Sequence, residues 1–298
     1  MATLDTVLPV VFAVCAALSN AVATVLQRMA ALTVPSSQGL RAGLILDLLR
    51  RPVWLLGMLA VITAAVCQAV ALVTGPLTIV QPLFVLELPL TLIVASVLMH
   101  RRLPASGWAS VAVVVVGLAV ALAAAAPSGD RTRVALDRWI PALAVCLGLV
   151  AVLTLMALRR PHGPARAACL GAATAISYAL TAALLKTSTH ILDEEGIVGF
   201  LTAWQTYGFA LTGVCALFLL ENAMQAGPLV ASQPALTLGD AAVSLALGIT
   251  LYEETVRTGW WLLPQLLGVA MIAVGIVALS RTALNESLVA TDEKAPVA

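Results

Sequence analysis

Nine separate runs of about twenty predominantly apolar residues restrict this chain to one kind of environment. They lie at roughly 8–31, 53–74, 77–99, 107–126, 139–158, 165–187, 199–221, 228–251 and 260–280. A helix of that length crosses a hydrocarbon core about 30 Å thick with every backbone polar group bonded inside it. Composition agrees: 61% of the residues are hydrophobic and 10% charged, against roughly 25% charged in a soluble domain. The sequence predicts an all-α polytopic membrane protein. Its first run is too long for the core of a signal peptide and reads as a first transmembrane helix. Trp54, Trp108, Trp139, Trp260 and Trp261 fall at span ends, where an amphipathic ring suits the membrane interface. Residues 282–298 are polar and acidic and predict a disordered tail.

Other classes are poorly supported. Net charge is +1 and no basic patch is interleaved with aromatics, so no nucleic-acid partner is expected. Cys15, Cys67, Cys146, Cys169 and Cys215 stand singly inside apolar runs and read as small buried hydrophobes, not as a disulfide framework or metal site. No HExxH, GxSxG or Walker pattern exists, so neither an enzyme nor a cofactor is expected.

Between the first two spans, "QGLRAGLILDLLRR" (38–51) puts Leu40, Leu44, Ile45, Leu48 and Leu49 on one helical face. It is too short to span. An interfacial helix is the expectation, with a re-entrant segment as the alternative. Nine spans divide the cations unevenly. One side holds Arg28, Arg41, Arg50, Arg51, Arg101, Arg102, Arg159, Arg160, Arg166, Arg281 and Lys294; the other holds Arg131, Arg133, Arg138, Lys186 and Arg257. The positive-inside rule then puts the C-terminus in the cytoplasm and the N-terminus outside.

The chain also repeats itself. "GPLTIVQPL" at 75–83 returns as "GPLVASQPA" at 227–235. At the same offset of 152, Gly107–Trp108 returns as Gly259–Trp260. Upstream, "ALSNAVATVLQR" (17–28) resembles "AISYALTAALLK" (175–186). The copies are residues 1–126 and 165–281, four spans each, linked by a fifth span within 127–164. An odd span between two even units turns the second copy over. Inverted repeats are a signature of secondary transporters, whose sites lie near the midplane at the repeat interface.

Two acids fall at that depth. Glu87 lies about 15 Å into the third span and Asp240 about 18 Å into the eighth. A carboxylate at mid-membrane costs about 2.5–3.5 kcal/mol on insertion scales, and such acids usually face the protein interior or a water-filled path. Each could instead be a protonated structural group bonded to a neighbour such as Gln68 or Gln81. Pro82, Pro89 and Pro234 remove backbone bonds and free carbonyls. With Gln81, Gln233 and Asn20 they offer neutral oxygens to a cation, or else they only kink and glue helices. Pro82 and Pro234 are expected to bend or unwind their spans at matching depths. Arg28 and Lys186 read as snorkelling cations. Glu253 and Glu254 read as a solvated helix end, or as an outer mouth that gathers cations.

These residues carry a resemblance. "VLQRMA", "GPLTIVQPL", "LLK" and "GPLVASQPALTLGDAAVSLALG" resemble the drug/metabolite transporter superfamily. In layout the chain looks most like its NIPA-type magnesium transporters and their bacterial EamA-like relatives. The resemblance implies a multi-pass plasma-membrane transporter that lacks one second helix. Two features depart from the eukaryotic NIPA-type pattern: the glutamines at Gln81 and Gln233, and the acids Glu87 and Asp240. The expected substrate is Mg²⁺ or another divalent cation, with Glu87 and Asp240 as hard ligands. A potential of 100 mV, inside negative, would contribute about 4.6 kcal/mol per double charge, so no coupling ion is needed. The alternatives are a proton-coupled exporter of a small metabolite or drug and a non-transporting scaffold, against which paired mid-membrane acids argue. The expected partners are the lipid bilayer and the transported ion or small molecule, and a homodimer is compatible with this reading.

Overall fold

The computed structural model describes residues 2–32, 51–98, 103–129, 134–227 and 229–292. Apart from Arg51, the expected interfacial segment 38–51 lies outside them. Among the described residues there is no strand, and nine helical segments are long and apolar enough to cross a membrane. The chain is an all-α polytopic membrane protein. The helices are α1 (Ala2–Leu32), α2 (Pro52–Thr74), α3 (Leu77–Leu83), α4 (Glu87–Leu98), α5 (Ala105–Ala125), α6 (Leu136–Leu158), α7 (Pro164–Thr202), α8 (Trp204–Ala226), α9 (Leu229–Tyr252) and α10 (Leu262–Asp292). Helices α3 and α4 make one span, divided by the 3₁₀ turn Phe84–Leu86. Pro52 and Pro164 open α2 and α7, where a missing N–H leaves no helix carbonyl unpaired.

Helix α7 is the centre of the molecule. It packs on α2, α3, α6, α8 and α9, and two thirds of its most apolar stretch is buried. Small residues allow this: Ala167, Gly171, Ala173, Ala175, Ala179 and Ala183 are fully or nearly buried along it. By contrast, α6 and α8 turn mostly apolar surface outward, as lipid-facing helices do. Two sets of contacts run in parallel. Helix α1 packs on α2 and on the α3–α4 span, while α7 packs on α8 and α9. Helices α5 and α10 pack on each other.

The α5–α10 contact is a glycine seam. A Cβ built on Gly268 would lie 2.6 Å from both the Gly117 carbonyl oxygen and the Ala121 amide nitrogen. Backbone cannot yield as a flexible side chain would. Gly268→Ala is therefore expected to lower stability by about 1–3 kcal/mol, the usual cost of overpacking. Gly148 on α6 has nothing within 4 Å of such an atom, so Gly148→Ala should be neutral or slightly stabilising. Thermal unfolding in detergent distinguishes the two.

Several expectations need correction. Trp139 lies at a span end but does not face outward: it is fully buried and meets Trp204 edge-on, with ring centroids 5.5 Å apart. Trp260, at 87% exposure, does project outward. Cys146 is buried, but Cys15 and Cys215 are exposed. The tail is not disordered from residue 282, because α10 continues to Asp292. No Gly or Pro lies between Arg281 and Asp292 to stop it.

The two proline sites also differ. The span containing Pro82 is broken just beyond it, whereas α9 runs unbroken across Pro234. Pro82 and Pro89 withdraw two amide donors seven residues apart. At the offset of 152, Pro89 corresponds to Ala241, so α9 loses one donor only. A single loss can be absorbed within a continuous helix.

Candidate functional site

Glu87 begins α4 where the backbone leaves the 3₁₀ turn. Across the turn, the Phe84 amide donates to the carbonyls of Gln81 and Pro82, and the Glu87 amide donates to that of Phe84. The break therefore puts Glu87 on the first turn of a new helix, at the midpoint of the Leu77–Leu98 span. Asp240 lies at the midpoint of the 24-residue α9.

The structure brings these two acids within electrostatic reach of each other. Asn20 Nδ2, on α1, donates to Glu87 Oε2 at 3.4 Å. Ser244 Oγ, one turn along α9, donates to Asp240 Oδ1 at 3.4 Å. Both bonds are long, so neither acid is held tightly. Both residues are half-buried, as is α9 from 234 to 241. Three of the expected residues thus converge from α1, α4 and α9. Ser244 joins them without having been foreseen. Its only signal in the sequence is the i, i+4 spacing from Asp240.

The other candidates fall elsewhere. Gln81 is buried in α3, and Gln68 is half-buried on α2. Neither supplies the bond that Glu87 receives from Asn20. The side chain of Gln233 lies outside the described residues. Among those residues, His, Cys, Asp and Glu nowhere gather in threes around a point that could hold a metal. The arrangement offers two carboxylates, an amide and a hydroxyl. All are hard donors, suited to a cation that keeps part of its water shell or to a proton shared between acids.

A second polar cluster corrects the reading of Lys186 and Glu254. Both side chains are buried and form an ion pair, Nζ to Oε1 at 3.0 Å. The Lys186 ammonium also donates to the Gly75 carbonyl at 3.2 Å and lies 4.7 Å from the centre of the Tyr252 ring. Glu254 accepts the amides of Leu77 at 2.7 Å and Thr78 at 2.8 Å, capping α3. The Tyr252 hydroxyl donates to the Ala183 carbonyl at 2.6 Å and shares a 2.8 Å bond with Thr187. Lys186 therefore does not snorkel. Glu253 alone keeps the expected exposed position, paired with Arg138 at 2.5 Å.

The sequence placed Lys186 and Glu254 near span ends, where a surface role is usual. Their pairing depends on a turn that the sequence does not announce. Glu253 adopts a left-handed φ of 53°, which carries the chain back so that Glu254 enters the protein. The space it fills exists because residue 248 is glycine: a Cβ there would press on the Glu254 carboxylate.

The ends of the bundle can now be named by their glycines. Gly75 sits against Lys186, whereas the backbone at Gly227 packs on Gly163, where α7 begins. Lys186 and Gly163 are about 35 Å apart along that helix. Gly75 and Gly227, equivalent in the repeat, thus lie far apart along α7, one beside Lys186 and the other where the helix begins.

No family model matches the chain, and no solved structure matches it. A protein of Corynebacterium glutamicum, described as uncharacterized, is 31% identical over 281 residues. The match covers 92% of this chain and 95% of that protein.

Proposed function

We infer that this chain, which belongs to one family with that Corynebacterium glutamicum protein, is a secondary transporter of the drug/metabolite transporter type. Its substrate is a divalent cation, Mg²⁺ foremost, taken across the plasma membrane. The observation that carries this reading is that Glu87 and Asp240 both lie at mid-span, within electrostatic reach of each other and on corresponding spans of the sequence repeat. A lone structural acid needs no such partner. Two acids within electrostatic reach of each other, at a cost of about 2.5–3.5 kcal/mol apiece, are better explained by a cationic visitor.

Three further features support inverted repeats around that site. The helix pairings of α1 with α2 and the α3–α4 span match those of α7 with α8 and α9. Helices α5 and α10, the last of each copy, pack together. Gly75 and Gly227 sit about 35 Å apart along α7, beside Lys186 and Gly163. With the N-terminus outside, the Gly75 end faces outward and the Gly163 end faces the cytoplasm.

A second reading keeps the site and changes the cargo. The two acids share a proton and exchange it for a small metabolite. It is favoured by the absence of a third acidic or imidazole ligand among the described residues. Purified protein in liposomes loaded with Mg²⁺ and pH indicators decides between them. Under the first reading, an inside-negative potential drives Mg²⁺ accumulation without a pH gradient. Mg²⁺ flux no faster than in empty liposomes, with proton movement on addition of a metabolite, would replace it with the second.

A further inference from the structure

Lys186 and Glu254 form an ion pair with both side chains excluded from solvent, and the Glu87–Asp240 site makes no use of it. We propose that this pair is the latch of a gate that shuts the Gly75 end, and that it must part whenever the site opens to that face. The proposal rests on the transporter reading and adds to it how access is controlled.

The latch joins the moving parts that alternating access requires. Lys186 belongs to the central helix α7. Glu254 follows α9, which carries Asp240. Its carboxylate grips the first amides of α3, which leads to the break before Glu87. Parting the pair would therefore remove the charged tie between α7 and both acid-bearing spans at one end, and the Tyr252 hydroxyl bonds to Ala183 and Thr187 must part with it. The same end is tied again by weaker contacts. Ser128 and Thr255 exchange backbone bonds at 2.9 and 2.7 Å, the Arg257 amide donates to the Ala125 carbonyl, and Gln265 Nε2 donates to the Ala124 carbonyl. Towards this end, Leu247, Gly248, Leu251 and Tyr252 of α9 are buried, whereas 234 to 241 are partly exposed.

The repeat makes the latch one-sided. At the offset of 152, Glu254 corresponds to Arg102, and Lys186 aligns with Arg28. One copy therefore pairs an acid with a base, and the other has two bases in the same places. An equivalent latch cannot form at the Gly163 end. Buried ion pairs are also suited to switching, because their attraction is offset by desolvation that water entering an open gate would relieve. The left-handed backbone at Glu253 is strain of the kind found at such switch points.

The test uses the full chain with its five cysteines replaced and Thr237→Cys as reporter. Thr237 is partly exposed, one turn from Asp240 and beyond it as seen from the latch. A membrane-impermeant maleimide is added to one face of reconstituted vesicles at a time. From the Gly75 face, labelling should be slow in this background and at least about tenfold faster with Glu254→Gln or Lys186→Met. Labelling from the other face should not rise. Where those variants fail to fold, the Ser128→Cys/Thr255→Cys pair serves instead. Its disulfide should stop labelling from the Gly75 face, and reduction should restore it. Unchanged labelling in folded latch variants, or undiminished labelling across a formed disulfide, would overturn the proposal. No arm requires Mg²⁺ to move, so the substrate can prove wrong without affecting the result.

Discussion

Glu87→Gln and Asp240→Asn are each expected to abolish Mg²⁺ uptake into liposomes while leaving the protein folded and inserted. Both changes keep the shape of the side chain and the hydrogen bonds offered by Asn20 and Ser244. What they remove is the negative charge that a divalent cation needs at mid-membrane. Losing one of two carboxylates should cost more than tenfold in rate, since roughly 1.4 kcal/mol is already a factor of ten and removing a charged ligand exceeds that. If the cargo is instead a metabolite exchanged for protons, the same variants should uncouple movement from the pH gradient yet retain downhill exchange. Parental transport in both variants would make the acids structural and refute the site.

The second large effect concerns stability. Lys186→Met leaves the Glu254 carboxylate buried with the amides of Leu77 and Thr78 as its hydrogen-bond donors among the described residues. Glu254→Gln leaves the Lys186 ammonium with the Gly75 carbonyl and the face of Tyr252. Each single change should lower stability by about 3–5 kcal/mol, the typical result of stranding one member of a buried pair. The double variant strands neither, so its loss should fall well short of the sum. Chemical unfolding of the four proteins in detergent measures the coupling. Additive losses would mean that the two groups act independently, contrary to the geometry.

The candidate site was largely legible because an acid in an apolar run is conspicuous. Glu87 and Asp240 stand out against their neighbours, and the 1.5 Å rise of a helix converts sequence position directly into depth. Asn20 could be named for the same reason. Ser244 could not, since a serine in a span is common and inexpensive. The prolines marked where the third span would break but not that the eighth would remain continuous. That difference depends on Pro89, whose counterpart is Ala241.

Spans, repeat, and the depth of each polar residue were determined by the sequence alone, because hydropathy and helical rise act locally along the chain. Which polar groups meet was decided only by the tertiary structure. Asn20 reaches Glu87 across 67 residues, and Glu254 reaches Leu77 across 177. Depth says how far along its axis a helix carries a residue. It does not say which neighbour the residue faces, and that depends on helix rotation and on close packing between helices. Lys186 and Glu254 show the consequence. Their positions near span ends suggested water, but a left-handed turn at Glu253 and the missing Cβ of Gly248 fold the carboxylate inward onto the ammonium.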